Sequence, residues 1–322
     1  MPQLDRFDPE YCTLFENVPA VLQVDLAKQH PLETAAMLRT AMAPSEGKSD
    51  DQLQWEDRTI STADGPLSVR IFRPAGGEGK GVLVNAHGGG WVAGSVPSDH
   101  ARCAAMARAG GFNVVAVEYR LAPEHAFPAG TEDVYAALCW VADQADALGF
   151  DRDRIAIGGT SAGGNIAAAC ALMARDRGGP PIVFQHLLSP VTDADFNTAS
   201  YREFGNGYAL DTNIMQWMWD QYAPPAVDRN NPYLAPLRAA DLSGLPPALV
   251  QTAELDPLRD EGEAYVARLR EAGVPTDHVR YLGVMHGFVT LGPAFARARA
   301  AVADAAAALA QRLCEPLPRS TK

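Results

Sequence analysis

The residues best suited to chemistry gather around one serine. Ser161 stands in Gly159-Thr160-Ser161-Ala162-Gly163-Gly164-Asn165, between the β-branched run Arg154-Ile155-Ala156-Ile157-Gly158 and the helix-forming run Ile166-Ala167-Ala168-Ala169-Cys170-Ala171-Leu172-Met173. A strand, a sharp turn and a helix present a serine hydroxyl at the apex, in the strained backbone conformation that suits a nucleophile. Small residues two positions to either side let strand and helix approach without collision. The spacing G-x-S-x-G is weak by itself, and its company makes it specific. His87-Gly88-Gly89-Gly90-Trp91 directly follows the strand-like Gly81-Val82-Leu83-Val84-Asn85-Ala86. Three consecutive glycines leave backbone N–H groups unshielded. Gly88, Gly89 and Gly90 therefore suit an oxyanion hole, whose donors meet the charge of a tetrahedral intermediate.

A serine nucleophile needs a general base, and the base needs a carboxylate to orient it. For a nucleophile on such a turn the partners come later in the chain, acid before histidine. Of seven histidines only His278 and His286 lie late enough. His278 falls inside the strand-like Asp277-His278-Val279-Arg280-Tyr281-Leu282, where it reads as a half-buried or edge residue. His286 sits in Gly283-Val284-Met285-His286-Gly287-Phe288, a loop past that strand, where a mobile base should stand. The acid is expected in Ala253-Glu254-Leu255-Asp256-Pro257-Leu258-Arg259-Asp260. Asp256 is best placed, with a proline behind it to fix the turn. Glu254 is too close to the strand, and Asp260 is expected to open the next helix and serve its dipole.

The elements that must hold these residues alternate from Gly81 onward. Strand-like runs lie near 82–86, 112–119, 154–158, 182–188, 247–253 and 277–282, and helical ones near 98–110, 130–148, 162–176, 259–272 and 293–313. This predicts an α/β fold, a mostly parallel sheet with helices on both faces. Two further strands, about 53–62 and 66–73, precede it across the hairpin turn Ala63-Asp64-Gly65-Pro66. Residues 1–50 read as helical, with Val21, Leu22, Leu26 and then Leu32, Met37, Leu38, broken by Pro31 and Pro44 and closed by the linker Glu46–Asp51. The alternation lapses between 189 and 246, where Ile214-Met215-Gln216-Trp217-Met218-Trp219-Asp220-Gln221-Tyr222 forms an aromatic helical segment. The division expected is an N-terminal cap segment over 1–50, a catalytic body over 51–199 and 226–322, and an inserted cap segment over 200–225. The inserted helix is either part of a lid over the site or an amphipathic helix packed on the body.

A chain of 322 residues that is 47% apolar can bury a large core. A formal charge of −12 argues against nucleic acid or an anionic membrane surface as partner. No stretch of about 18 apolar residues indicates a transmembrane helix, and Met1–Asp8 lacks the pattern of a secretory signal. Five scattered cysteines without C-x-x-C spacing read as reduced, mostly buried thiols. A cytoplasmic protein is expected, with no metal or cofactor in its chemistry.

The chain resembles the hormone-sensitive-lipase-like (bacterial family IV) esterases of the α/β-hydrolase superfamily. His87–Trp91, Tyr119-Arg120-Leu121-Ala122-Pro123-Glu124, the Ser161 turn, Asp256-Pro257-Leu258-Arg259-Asp260-Glu261-Gly262 and His286-Gly287-Phe288 carry the likeness over residues 87–288. It implies an α/β-hydrolase fold with a two-part helical cap, a Ser161–Asp256–His286 triad, and oxyanion donors in the Gly88–Gly90 loop and at Ala162. It further implies cleavage of short- to medium-chain acyl esters through an acyl-enzyme, and suggests a homodimer. Many members place aspartate before the serine, whereas this chain has Thr160, as in a GTSAGG-type sub-branch, which removes a charge beside the nucleophile. Arg120 and Glu124 are expected to pair and lock the turn behind the catalytic loop. Trp91, Tyr208, Trp217 and Phe288 are candidates to line the pocket, or plain core. The same triad would also serve an amide, carbamate or lactone. The scaffold also carries non-catalytic ligand-binding proteins, the plant gibberellin receptors, which lack the histidine found here as His286.

Overall fold

The computed structural model describes residues 4–12, 30–43, 53–74 and 80–314. Its strands are β1 (Gln54–Thr62), β2 (Gly65–Arg73), β3 (Val82–Ala86), β4 (Asn113–Glu118), β5 (Ile155–Thr160), β6 (Phe184–Leu188), β7 (Ala248–Leu255) and β8 (Thr276–Met285). They form one sheet in the order β1-β2-β4-β3-β5-β6-β7-β8. The β1–β2 hairpin closes at Thr62 and Gly65, whose φ of 116° suits a glycine. β2 is antiparallel to β4, and from β4 to β8 every neighbouring pair is parallel. The central strands β3, β5 and β6 are buried at every residue, as expected of a parallel sheet covered on both faces.

The helices are α1 (Pro9–Cys12), α2 (Pro31–Ala41), α3 (Val96–Gly110), α4 (Ala129–Asp143), α5 (Ala145–Leu148), α6 (Ala162–Arg177), α7 (Ala199–Phe204), α8 (Thr212–Tyr222), α9 (Arg259–Glu271) and α10 (Ala296–Leu313). Side chains of α4, α6 and α9, such as Leu138, Ile166 and Leu269, build the core on one face of the sheet. Cys103 and Met106 of α3 and Leu309 and Leu313 of α10 build it on the other. The alanine-rich start of α6 is buried from Ala162 to Ala174, because small side chains let the helix lie flat on the sheet below Ser161.

Local details depart from the sequence reading. Pro31 begins α2 instead of interrupting it, at a first-turn position where its missing N–H costs nothing. α3 starts at Val96, because Ser95 and Ser98 cap each other's backbone N–H groups. The helix expected over 130–148 divides at Gln144 into α4 and α5. Val21, Leu22, Leu26, Pro44 and the Glu46–Asp51 linker lie outside the described residues. Of the five cysteines only Cys103 and Cys170 are fully buried; Cys12 and Cys139 are half-buried and Cys314 is exposed. Among the described residues no helix is long and apolar enough to cross a membrane.

Candidate active site

Ser161 directly follows β5 and caps α6 with φ 57° and ψ −119°, a left-handed conformation rare for a residue with a Cβ. Its N–H donates to Leu188 O at 2.8 Å and its carbonyl accepts from Asn165 N at 3.0 Å, so strand and helix hydrogen bonds over-determine the strained turn. From this corner the Oγ lies 3.0 Å from His286 Nε2. His286 Nδ1 lies 2.8 Å from Asp256 Oδ2. The other oxygen, Asp256 Oδ1, accepts the Leu258 N–H at 2.9 Å, which fixes the carboxylate plane. Asp256 is 0% exposed and Ser161 7%, so the chain of hydrogen bonds is shielded from bulk water. In this arrangement the carboxylate accepts from Nδ1–H, leaving Nε2 with a lone pair toward the serine hydroxyl.

β8 runs on to Met285, so Gly283–Met285 belong to the strand and not to the loop expected there. The strand end that leads into His286 is anchored twice at Gly283, whose φ is 72°. Its N–H donates to Glu254 Oε2 at 2.8 Å, and its carbonyl accepts the Asp8 N–H at 2.8 Å. Glu254 on β7 thus braces the end of β8 that leads to His286. His278 lies elsewhere, half-buried on β8, with Nε2 2.9 Å from Thr252 Oγ1. Asp260 occupies the first turn of α9 and accepts the Ser200 N–H at 2.8 Å.

The glycine loop passes directly beside the serine. A Cβ on Gly88 would come 3.2 Å from Thr160 O and 3.7 Å from the Ser161 Cβ. Its carbonyls are held from behind. His87 Nδ1 donates to Gly88 O at 2.8 Å, and Val92 N and Ala93 N donate to Gly89 O at 3.2 and 2.9 Å. Each peptide is planar, so fixing the Gly88 and Gly89 carbonyls also fixes the Gly89 and Gly90 N–H groups, which point the opposite way. Burial lowers the His87 pKa, which keeps the imidazole neutral in this role. Ala162 opens α6, where first-turn N–H groups lack intrahelical partners and the helix dipole is positive. Thr160 is buried at the end of β5, where a carboxylate would be costly to desolvate.

Two buried residues of the Ser161 and Asp256 motifs, to which the sequence assigned no role, complete the frame. Asn165 is fully buried and receives Trp91 Nε1 at 3.3 Å, while its amide donates to Val191 O and Leu234 O at 3.0 and 2.9 Å. Glu261 Oε1 accepts the N–H groups of Thr192 and Asp193 at 2.7 and 3.3 Å, steadying the loop after β6, and burial pushes this carboxyl well above the ordinary range.

The expected Arg120–Glu124 pair does not form. Arg120 is committed to buried Asp133 on α4, which accepts its Nη2 at 2.7 Å and its backbone N–H at 2.9 Å, and reaches Asp64 at 3.2 Å. Glu124 instead faces α2, where Arg39 Nη2 meets its Oε2 at 2.7 Å. The four aromatic candidates are all buried. Trp91 stacks on Tyr222 at 4.4 Å and meets Trp219 edge-on at 5.0 Å. Tyr208 stacks on Phe7 at 5.5 Å, and Phe288 tilts against Tyr281 at 5.4 Å. Trp217 lies on α8.

A sheet of this order with a serine at the β5–α6 turn defines an α/β-hydrolase. The family model described as alpha/beta hydrolase fold matches residues 83–290, and the chain belongs to that family. It is 45% identical over 242 residues to carboxylic ester hydrolase LipN of Mycobacterium tuberculosis, covering 73% of this chain and 64% of that relative. It is 36% identical to an arylesterase of Saccharolobus solfataricus, covering 88% of this chain and 92% of the relative. The solved structure of a hyperthermophilic esterase from Pyrobaculum calidifontis superposes with a TM-score of 0.86 at 39% identity, over 97% of this chain and 99% of that one. The chain is a carboxylic ester hydrolase of the hormone-sensitive-lipase-like group.

Proposed function

We propose that Ser161 is the nucleophile, His286 the general base and Asp256 the residue that orients it. Ser161 Oγ attacks the ester carbonyl carbon while His286 Nε2 takes its proton. The oxyanion is met by N–H groups of the Gly88–Gly90 loop and Ala162. The tetrahedral intermediate expels the alcohol, which leaves with the proton from His286. Water then attacks the acyl-enzyme, gives a proton to His286, and releases the acid and Ser161. The observation that carries this reading is the continuous chain Ser161 Oγ–His286 Nε2 at 3.0 Å and His286 Nδ1–Asp256 Oδ2 at 2.8 Å.

The N-terminal segment and α8 act as the cap in this reading. Support comes from α8, which presses Met218 against the glycine loop, so that a Cβ on Gly90 would lie 2.0 Å from Met218 Sδ. A roofed pocket of ordinary size favours short- to medium-chain acyl groups, and the arylesterase relative makes aryl esters a natural probe. The test is a p-nitrophenyl ester series from acetate to palmitate, with organophosphonate labelling mapped by mass spectrometry. Activity concentrated on chains of about two to eight carbons, with one label on Ser161, is the expected result. A flat chain-length profile removes the cap reading, and a label elsewhere removes the nucleophile.

A further inference from the structure

Arg39, on α2, holds four hydrogen-bond acceptors at once. Its Nε donates to Val92 O at 2.9 Å and its Nη2 to Ala122 O at 3.0 Å. The same guanidinium forks onto Glu124, Nη1 to Oε1 at 2.8 Å and Nη2 to Oε2 at 2.7 Å. The Ala122 N–H in turn donates to Trp91 O at 2.9 Å, so the fork brackets the Trp91–Val92 turn from both sides. That turn is what orients the glycine loop, since the Val92 and Ala93 N–H groups grip Gly89 O. An open cavity of about 490 Å³ lies beside this joint, lined by Arg39, Met42, Gly94, Ser95, Glu118 and His125 among others. α2 thus meets the loop both through the guanidinium and through Ala35 and Leu38, which are buried in the same apolar cluster as Trp91, Val92 and Ala93.

We propose that Arg39 is a positioning residue for the oxyanion loop, tying the N-terminal segment to the peptide planes that present the Gly89 and Gly90 N–H groups. An ion pair with partners about a third exposed contributes little by itself. The planar fork matters more, because only a guanidinium reaches two carbonyls and a carboxylate together. Its bond to Arg39 holds the Glu124 carboxyl down to about 2, so the fork keeps its charge across any practical assay range. The inference rests on the Gly88–Gly90 loop being the oxyanion hole.

The experiment compares Arg39→Ala, Arg39→Lys and Glu124→Gln with the wild type, for kcat, KM, melting temperature and affinity for an alkylboronic acid, which mimics the tetrahedral intermediate. Misplaced donors act on the transition state, and a shift of about 1 Å costs up to about 100-fold. Arg39→Ala should lose kcat by about tenfold or more with KM nearly unchanged, and boronate affinity should fall with kcat/KM. Arg39→Lys should behave like Arg39→Ala. Glu124→Gln, which leaves both carbonyl bonds in place, should lose less. Millimolar guanidinium should restore part of the Arg39→Ala activity without raising its melting temperature. Full kcat in Arg39→Ala and Arg39→Lys, or a loss that only tracks melting temperature and ignores guanidinium, overturns the proposal. Organophosphonate labelling of wild-type Ser161 keeps the two readings apart. An unlabelled wild type defeats the underlying site, whereas a labelled wild type beside fully active Arg39 variants defeats this inference alone.

Discussion

Gly159 and Gly163 touch across the nucleophile turn: a Cβ on Gly159 would lie 2.3 Å from Gly163 O, and one on Gly163 would lie 2.2 Å from Ala86 O. No side chain fits at either position, because strand, helix and glycine loop meet there backbone to backbone. Gly163→Ala should therefore force α6 away from β3 and move Ser161 with it. Overpacking of this kind costs about 1–3 kcal/mol. The expected result is a lower melting temperature with a kcat reduced at least about tenfold, since small displacements are costly in a catalytic geometry. An equally stable, fully active variant would show that the turn is looser than these distances allow.

The proposed triad makes a graded prediction. Ser161→Ala should lose about six orders of magnitude in kcat and all organophosphonate labelling, because such groups act as a unit. Asp256→Asn should lose about 10⁴-fold, as the imidazole takes the wrong tautomer. Glu254→Gln keeps an acceptor for the Gly283 N–H and should cost little, as should His278→Gln, whose side chain meets Thr252 and not Ser161. Steady-state kinetics with circular dichroism as a folding check decides. A collapse in either control beside an active Asp256→Asn would reassign the acid or the base.

Much of this was legible in the sequence because the local signals agreed. Strand-like runs placed the six strands from β3 to β8 within about two residues over most of their ends, since β-branched runs bounded by turn residues admit few other structures. Ser161, Asp256 and His286 could be chosen because each stands at the end of a strand, where the chain order leaves few rivals. What failed was pairing across long separation. Arg120 and Glu124 are close in sequence, yet Arg120 turns to Asp133 and Glu124 to Arg39, some 85 residues away. Nothing in the spacing of charges reveals which guanidinium a carboxylate will face once helices pack. Asn165 and Met218 were silent for the same reason, since their roles arise from contacts with Trp91 and Gly90 that only the tertiary fold creates.

Stability should fall with acid as the buried histidines resist protonation. His186 is buried against Gln251, its Nε2 2.7 Å from Oε1, and burial pushes its pKa down to about 4. The unfolded chain takes up this proton below its ordinary value of about 6.5, whereas the folded chain resists until about 4. The contribution is thus complete above pH 6.5 and lost as the pH falls toward 4, at up to about 1.4 kcal/mol per pH unit. Buried His87 acts in the same direction. Urea unfolding across that window should show the decline, and His186→Gln should flatten it by roughly one proton's share. An identical slope in the variant would mean that His186 is protonated or solvated in the native state.

Met218 and Gly90 give the sharpest test of how α8 and the glycine loop cooperate. Gly90 has φ 60°, and a Cβ there would lie 2.0 Å from Met218 Sδ and 2.9 Å from Met218 Cε. Gly90→Ala thus meets two obstacles, a left-handed conformation that costs about 1–2 kcal/mol and a collision with the end of a flexible side chain. Only the second can be relieved from α8. Met218→Ala alone leaves a gap against the loop and should lower stability by about 2–5 kcal/mol while modestly reducing kcat. The double variant should be more active than Gly90→Ala, because removing the thioether makes room for the new methyl. Contacting residues typically show interaction energies of about 0.5–3 kcal/mol in such a cycle. The measurement is kcat/KM for a short aryl ester in the wild type, both single variants and the double. Recovery in the double variant supports a helix that bears directly on the Gly90 peptide. Strictly additive losses would mean that α8 stands clear of the loop in solution and leaves the Gly90 N–H to be set by Val92, Ala93 and Arg39 alone.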